Sequence, residues 1–257
     1  MHEGRDSERR RKDSWQDFAG SAAAASTDRI EAGERVQIKA LIFDMDGLLV
    51  DTEHLAYAAM DAFLAKFEVE RRQDIHDQML GRRLPEAIAI VKEGYGLHHP
   101  LDDLIADYTI MRRDTLIGNV KPLPGAREAL QFGHDAGLRV GLASSGLRDQ
   151  VSLSLNEAGL RGLFEVEVTG DDVTRGKPAP DLFLKAAEGL SVDPAFCVVF
   201  EDAPAGIAAA VNAGMRAVAV PNDHSRLMKF QIPAEAVLDS LHDAIPWLKS
   251  HGVGQGL

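Results

Sequence analysis

A second cysteine is missing from this chain of 257 residues: Cys197 is the only one, so no internal disulfide can form. It lies in the apolar run Phe196-Cys197-Val198-Val199-Phe200, where a thiol is expected to be buried and inert. A reducing, cytoplasmic setting is the expectation that follows. Long apolar runs are missing too. None approaches the roughly 20 residues that cross a bilayer, so a membrane-spanning helix is not expected. Positive charge is the third deficit: 28 Lys and Arg face 40 Asp and Glu, a net charge of -12. Residues 1–39 carry eight charges of each sign, so the remaining chain holds the whole imbalance. Nonspecific nucleic-acid binding requires Lys and Arg to replace phosphate counterions, and an acidic body argues against that class of function. A small phosphorylated ligand is not excluded, because a divalent cation reverses the local field. No internal repeat is present.

The composition that remains, 45% hydrophobic and 26% charged, is that of a soluble globular protein. The length suits one large domain or two modest ones. Residues 1–36 stand apart, with Arg9-Arg10-Arg11-Lys12, an alanine run at 22–25 and little periodicity. They are expected to form a disordered extension. Its frequent acids, Glu3, Asp6, Glu8, Asp13 and Asp17, argue against an organelle transit peptide. It has no apolar core of the kind a secretory signal needs.

From Ile38 onward the pattern is α/β. Apolar stretches of strand length occupy 38–43, 138–143, 165–168, 196–200 and 216–220, with helical patterns at 126–135, 147–158, 180–188 and 204–213 between the later ones. Near-continuous apolar strands alternating with helices predict a Rossmann-like parallel sheet covered on both faces. Gly137, Gly159, Gly189 and Gly214 are read as left-handed helix ends. Residues 55–120 break the rhythm. Leu55, Ala58, Ala59, Ala62 and Phe63 form one helical stripe, continued by Leu84, Ile88 and Val91 and by Leu104, Tyr108 and Met111. The expected organisation is a core of 37–54 and 121–257 with a small helical domain of 55–120 inserted after the first strand.

In an open parallel sheet, ligands bind beyond the carboxyl ends of the strands, so the residues following each strand carry the functional expectation. Asp44, Asp46 and Gly47 follow the first, Ser144, Ser145 and Gly146 the second, and Glu201 and Asp202 the fourth, while Gly176, Lys177 and Pro178 precede a helix. Two carboxylates two residues apart at a strand end repel one another and lose hydration, so they call for a cation. An all-oxygen set of Asp44, Asp46, Glu201 and Asp202 suits magnesium. Asp44 is ionised at neutral pH and fits a nucleophile on phosphorus. Asp46 fits the acid and base that serves the leaving oxygen and then water. Lys177 adds positive charge to the transferring group, and Ser144 a hydroxyl donor. Asp51 and Thr52 are read as capping the helix that follows, with Thr52 also within reach of Asp46.

The segments FDMDGLLVDTE (43–53), ASSG (143–146), GKPAPDLF (176–183) and VFEDAPAGI (199–207) resemble the four motifs of the haloacid dehalogenase superfamily. The resemblance covers residues 38–245 and lies nearest its phosphatase and phosphomutase branch with a helical cap. It implies that Asp44 is a phosphoaspartate nucleophile and Asp46 the general acid and base. It places phosphate at Ser144, Ser145 and Lys177, and magnesium at Asp44, the backbone carbonyl of Asp46 and Asp202, with Glu201 alongside. Dehalogenases of the superfamily lack an aspartate at the position of Asp46, so that activity is not implied. Phosphonoacetaldehyde hydrolases use a cap lysine, and Lys66 and Lys92 are the only lysines of the inserted segment. β-Phosphoglucomutases carry a cap arginine a few residues after a glycine, whereas Arg82 and Arg83 follow Gly81 immediately. The stretch GRRLPEA (81–87) with the core motifs is most similar to pseudouridine-5′-phosphatases and related sugar-phosphate phosphatases. The expectation is a magnesium-dependent phosphatase of a small phosphorylated metabolite, monomeric, with Gly81, Arg82 and Arg83 contributing to specificity. A sugar phosphomutase and a non-catalytic metabolite-binding protein are the alternatives.

Overall fold

The computed structural model describes residues 37–79, 82–222, 225 and 234–255. The expected extension of residues 1–36 and Gly81 lie outside the described residues. Six parallel strands form one sheet in the order β3-β2-β1-β4-β5-β6: β1 Ala40–Phe43, β2 Arg139–Ala143, β3 Val166–Val168, β4 Cys197–Glu201, β5 Arg216–Ala219 and β6 Ala236–Val237. Every residue of β1 and β4 is buried, which is why these segments are continuous apolar runs rather than alternating ones. β6 is only two residues long and carries no hydrophobic run, so sequence periodicity did not reveal it.

The helices α1 Glu53–Ala65, α2 Gln73–Met79, α3 Leu84–Tyr95 and α4 Leu101–Leu116 lie between β1 and β2. They enclose a hydrophobic cluster of their own, including Met60, Phe63, Leu64, Ile88 and Val91. The later helices are α5 Ala126–Asp135, α6 Arg148–Glu157, α7 Asp181–Leu190, α8 Pro204–Asn212 and α9 Ala244–Ser250. Two further clusters cover the two faces of the sheet. One holds Leu41, Phe43, Leu130, Leu142 and Phe200; the other holds Ile42, Phe183, Leu190, Val199 and Ile207. Alternate residues of β1 and β4 thus feed opposite faces, as the period of two requires.

Gly137, Gly159 and Gly214 adopt positive φ of 72°, 65° and 73°, the left-handed turns expected of them. Gly189 does not. It lies within α7, where a Cβ would come 2.8 Å from Val166 Cγ1. Ser191 takes the left-handed position at φ 56° instead. Gly189 is therefore small because the helix packs closely on β3.

Candidate active site

The chain runs outward from β1 to β2 and β3, then returns to place β4 on the other side of β1. β1 and β4 are in register, Phe43 beside Phe200. Their carboxyl ends therefore bring Asp44 next to Glu201 at the point where the strand order reverses, the place where such sheets bind ligands. The Asp44 amide donates to Phe200 O at 3.1 Å, which pins the two strand ends together.

Lys177 fills the gap between the strands. It is 2% exposed, and its ammonium donates to Asp44 Oδ1 and, at 2.9 Å, to Glu201 Oε1. The ammonium also lies over the Phe183 ring, 5.0 Å from its centroid. Burial by itself would favour a neutral amine. The charges of Asp44 and Glu201 outweigh it and hold Lys177 protonated, its pKa above the ordinary lysine value. The loop bearing Lys177 is tied down by the capping turn at Gly170–Asp172, where Thr169 and Asp172 bond reciprocally. The Lys177–Pro178 peptide is cis.

Glu201 fixes a second contact, accepting from the Ala203 amide at 2.6 Å. Pro204 opens α8 just beyond, where a missing N–H costs nothing. Gly206 in that first turn leaves room for the glutamate: a Cβ there would sit 1.6 Å from Glu201 Oε1. Asp202 is 8% exposed and accepts from Asn222 Nδ2 at 2.9 Å. Asn222 also donates to Gly47 O at 3.2 Å, bracing the turn where Gly47 takes φ 78°.

Carboxylate oxygens of Asp44, Glu201 and Asp202 all lie within 4.8 Å of one another. Three buried acids share one ammonium. Burial, reinforced by Glu201 and Asp46 and opposed by Lys177, pushes the Asp44 carboxyl up to about 7. Burial, with Glu201 and Asp44 adding to it, also raises Asp202 well above the ordinary value. Two carboxyls that burial pushes toward the protonated form, beside Glu201 and offering only oxygen donors, fit a hard divalent cation. The side chain of Asp46 stands outside this triad.

Asp46 is directed elsewhere. Its Oδ1 accepts from Thr52 Oγ1 at 2.5 Å and faces Arg112 Nη2 at 3.5 Å. Thr52 occupies the residue before α1, yet its hydroxyl makes no cap; it serves Asp46 instead, so the capping expectation for Thr52 gives way to its other one. Ser144 is 1% exposed, and its Oγ accepts from the Gly146 amide at 3.1 Å. Ser145 and Gly146 reach a cavity of about 210 Å³.

That cavity lies between the strand ends and the helical insertion. Its core wall includes Asp44, Asp46, Ser145, Lys177, Glu201 and Asp202, and its opposite wall Ala56, His76, Met79, Arg82, Tyr108 and Arg112. The sequence-derived candidates of the core thus converge on one space, except Ser144, which is buried behind the turn and does not line it. Arg82 joins them, with its Nε donating to Gln78 O at 2.7 Å. Arg83 is turned onto the core loop, donating to Gly170 O at 2.9 Å and Thr174 O at 2.6 Å. Lys66 pairs with Asp107, and Lys92 bonds Leu97 O at 2.9 Å. Neither is among the residues lining the cavity.

Several residues of the site escaped sequence reasoning, His76 on the cavity wall among them; Asn222 and Arg112 touch its carboxylates. Asn222 follows β5, and reading past each strand end would have reached it. Arg112 falls four residues after Tyr108 and four before Leu116, on the buried stripe of α4. Its position on the apolar stripe was a partial signal, blurred by the adjacent Arg113.

Comparison with known proteins places these features in a family. The family model described as "Haloacid dehalogenase-like hydrolase" matches residues 41–220. The chain is 35% identical over 237 residues to "(DL)-glycerol-3-phosphatase 1, mitochondrial" of Arabidopsis thaliana, covering 88% of this chain and 78% of that one. It is 35% identical over 214 residues to "Probable pseudouridine-5'-phosphatase" of Drosophila melanogaster, covering 80% and 90%. Among solved structures, CbbY from Rhodobacter sphaeroides in complex with phosphate superposes with a TM-score of 0.70 at 26% identity, covering 80% of this chain and 95% of that one.

Proposed function

We propose that this chain, which belongs to the haloacid dehalogenase-like hydrolases and is a phosphoric monoester hydrolase, is a magnesium-dependent phosphatase of small sugar- or polyol-phosphates that works through an aspartyl-phosphate. The observation that carries the reading is the division of labour between two aspartates two residues apart. Asp44 is buried against Lys177 at the strand junction, whereas Asp46 turns into the cavity with Thr52 and Arg112. One is placed to attack and the other to move a proton.

Asp44, Asp202 and the backbone carbonyl of Asp46 would hold the magnesium, with Glu201 alongside. When bound, the metal lowers the repulsion between the Asp44 carboxylate and an anionic phosphate and neutralises charge on the transferring oxygens. Lys177 contributes a second positive charge to the same oxygens. The amides following Ser145 and the Ser144–Gly146 turn line the phosphate's side of the space. Asp44 Oδ attacks phosphorus in line, and the bond to the leaving oxygen breaks as Asp46 delivers its proton there. The hydroxyl of Thr52 and the guanidinium of Arg112 hold the Asp46 carboxyl toward that oxygen. Asp46, now ionised, takes a proton from water as the water attacks the aspartyl-phosphate, which regenerates Asp44 and releases phosphate. The helical insertion acts as a cap, excluding bulk water and contacting the leaving group with Arg82, Tyr108 and His76.

The size of the cavity and the names of the relatives, glycerol-3-phosphatase and pseudouridine-5'-phosphatase, support this substrate class. A screen of sugar phosphates, polyol phosphates and nucleotides for phosphate release, with and without Mg²⁺, tests the proposal. Metal-dependent release from a subset of monophosphates is expected. Turnover only with a bisphosphate primer and without phosphate release would instead identify a phosphomutase. Tight binding without turnover would leave a metabolite-binding protein.

A further inference from the structure

We infer that Arg83 is a positioning residue, a latch that holds the helical insertion shut on the loop carrying Lys177. The inference rests on the phosphatase reading above. The insertion joins the core through its two chain ends, near Thr52 and near Val120. Two linkers on their own permit a hinge. Other polar contacts, Arg112 to Asp46 and Gly118 N to Glu157, lie near those ends; Arg83 lies midway, between α2 and α3, and tethers the far side. Its Nε donates to Gly170 O at 2.9 Å and its Nη1 to Thr174 O at 2.6 Å, 87 and 91 residues away in sequence. Its side chain is 21% exposed, and Glu86 Oε1 stands 3.9 Å from Nη1. Charged donors on backbone carbonyls in a partly dry setting make strong, directional bonds.

The receiving loop is shaped for this contact. At Gly176, immediately before Lys177, a Cβ would stand 2.7 Å from Arg83 Cγ and 3.2 Å from both Arg83 Cδ and Arg83 N. Only a residue without a side chain lets the insertion come this close. The same loop is knitted to the phosphate turn. The Gly170 amide donates to Gly146 O at 2.9 Å, the Arg148 amide to Asp171 Oδ2 at 2.7 Å, and the Arg148 guanidinium pairs with Asp172. Residues 170–177 therefore touch the insertion on one side and the Ser144–Gly146 turn on the other. When Arg83 is seated, the wall that faces the leaving group and the loop that supplies Lys177 are held in one arrangement. When it leaves, the insertion keeps its chain ends and the Arg112–Asp46 contact but loses its tether to the loop that carries Lys177.

The test uses the full chain with p-nitrophenyl phosphate and Mg²⁺, and a distance measurement independent of activity. Arg83→Ala is expected to lower kcat/KM about ten-fold, the loss of one well-made charged hydrogen bond. Arg83→Lys, able to reach one carbonyl, is expected to fall between. Gly176→Ala should reproduce the loss from the opposite side, and in the Arg83→Ala background it should add nothing. Cys197 is buried, so spin labels can be directed to Glu93→Cys on α3 and Glu188→Cys on α7, both exposed positions. A single narrow distance is expected in the parent and a broader, longer distribution after Arg83→Ala, with the melting temperature unchanged. An unchanged distribution after Arg83→Ala, or Gly176→Ala acting with its full factor in the Arg83→Ala background, overturns the latch. Absence of phosphate release from the parent with every substrate overturns the phosphatase reading, and the spin-label distances still decide the latch.

Discussion

Replacing Gly206 by alanine is expected to dismantle the candidate site without replacing any of its functional groups. The added Cβ would stand 1.6 Å from Glu201 Oε1 and 1.9 Å from its Cδ. Ordinary contact begins near 3.4 Å, so the carboxylate must retreat by about 1.8 Å or the first turn of α8 must move away. Glu201 is 1% exposed and wedged between Lys177 at 2.9 Å and the Ala203 amide at 2.6 Å. A shift of that size breaks both bonds. Breaking one side of a buried ion pair costs about 3–5 kcal/mol. Lys177 retains Asp44 as a partner, which points to the lower end, about 3 kcal/mol. At roughly 2–4 °C per kcal/mol for a chain of this size, Tm falls by about 6–12 °C. Misplacing a group by 1 Å costs on the order of 100-fold in turnover, so kcat falls at least that far. Differential scanning calorimetry and a phosphate-release assay read the two effects. The double variant Glu201→Ala/Gly206→Ala separates the cause, because the three atoms nearest the added methyl all belong to the removed part of the Glu201 side chain. Gly206→Ala should then cost under about 1 kcal/mol, no more than an ordinary helix substitution. Wild-type Tm and turnover in the single variant, or an equal cost in both backgrounds, would refute the packing argument.

Asp44→Asn is expected to abolish turnover and phosphoenzyme formation while preserving the fold, as read by acid-quench trapping and circular dichroism. Full activity in that variant would sink the nucleophile assignment. Asp46→Asn should keep metal binding, measured by calorimetry, and slow turnover by at least about 100-fold; unchanged kinetics would refute the acid and base role. The metal-free protein should show an inverted pH response. Burial raises the Asp44 carboxyl from 3.8 to about 7, so between those values the folded state binds more protons than the unfolded state and stability falls as pH rises. Mg²⁺ stabilisation, read as a Tm increase over a chelated sample, should therefore grow as pH rises toward and past 7. A metal-induced shift that shrinks over that range would contradict the electrostatic account.

The strands were legible because β1, β2 and β4 are buried on both faces over their interior residues, which are therefore apolar. Their bounds in the structure lie within two residues of the apolar runs. The two-residue β6 left no such trace. The carboxylates, Lys177 and the serines were legible because each follows a strand or precedes a helix, where chain direction alone puts a residue at the carboxyl edge. Arg112 was hidden for the opposite reason. Helical sequence places it beside Arg113, and only the packing of α4 on the core shows that Arg112 faces Asp46 while Arg113 is exposed. Arg82 and Arg83 are likewise equivalent as letters. One lines the cavity and the other grips Gly170 and Thr174, a distinction set by where the turn before α3 lands on the core.

Sequence by itself determined the parallel sheet and the set of chemical groups at its edge, because burial on both faces and the direction of the strands are local demands written residue by residue. Tertiary structure alone decided how those groups divide the work. Strand order put Asp44 beside Glu201 rather than beside any other strand end. Close packing made Gly206 the space into which Glu201 fits. The docking of the helical insertion gave Asp46 its partners and closed the cavity above it. These depend on contacts between segments far apart in the chain, and no periodicity or spacing within a segment encodes them.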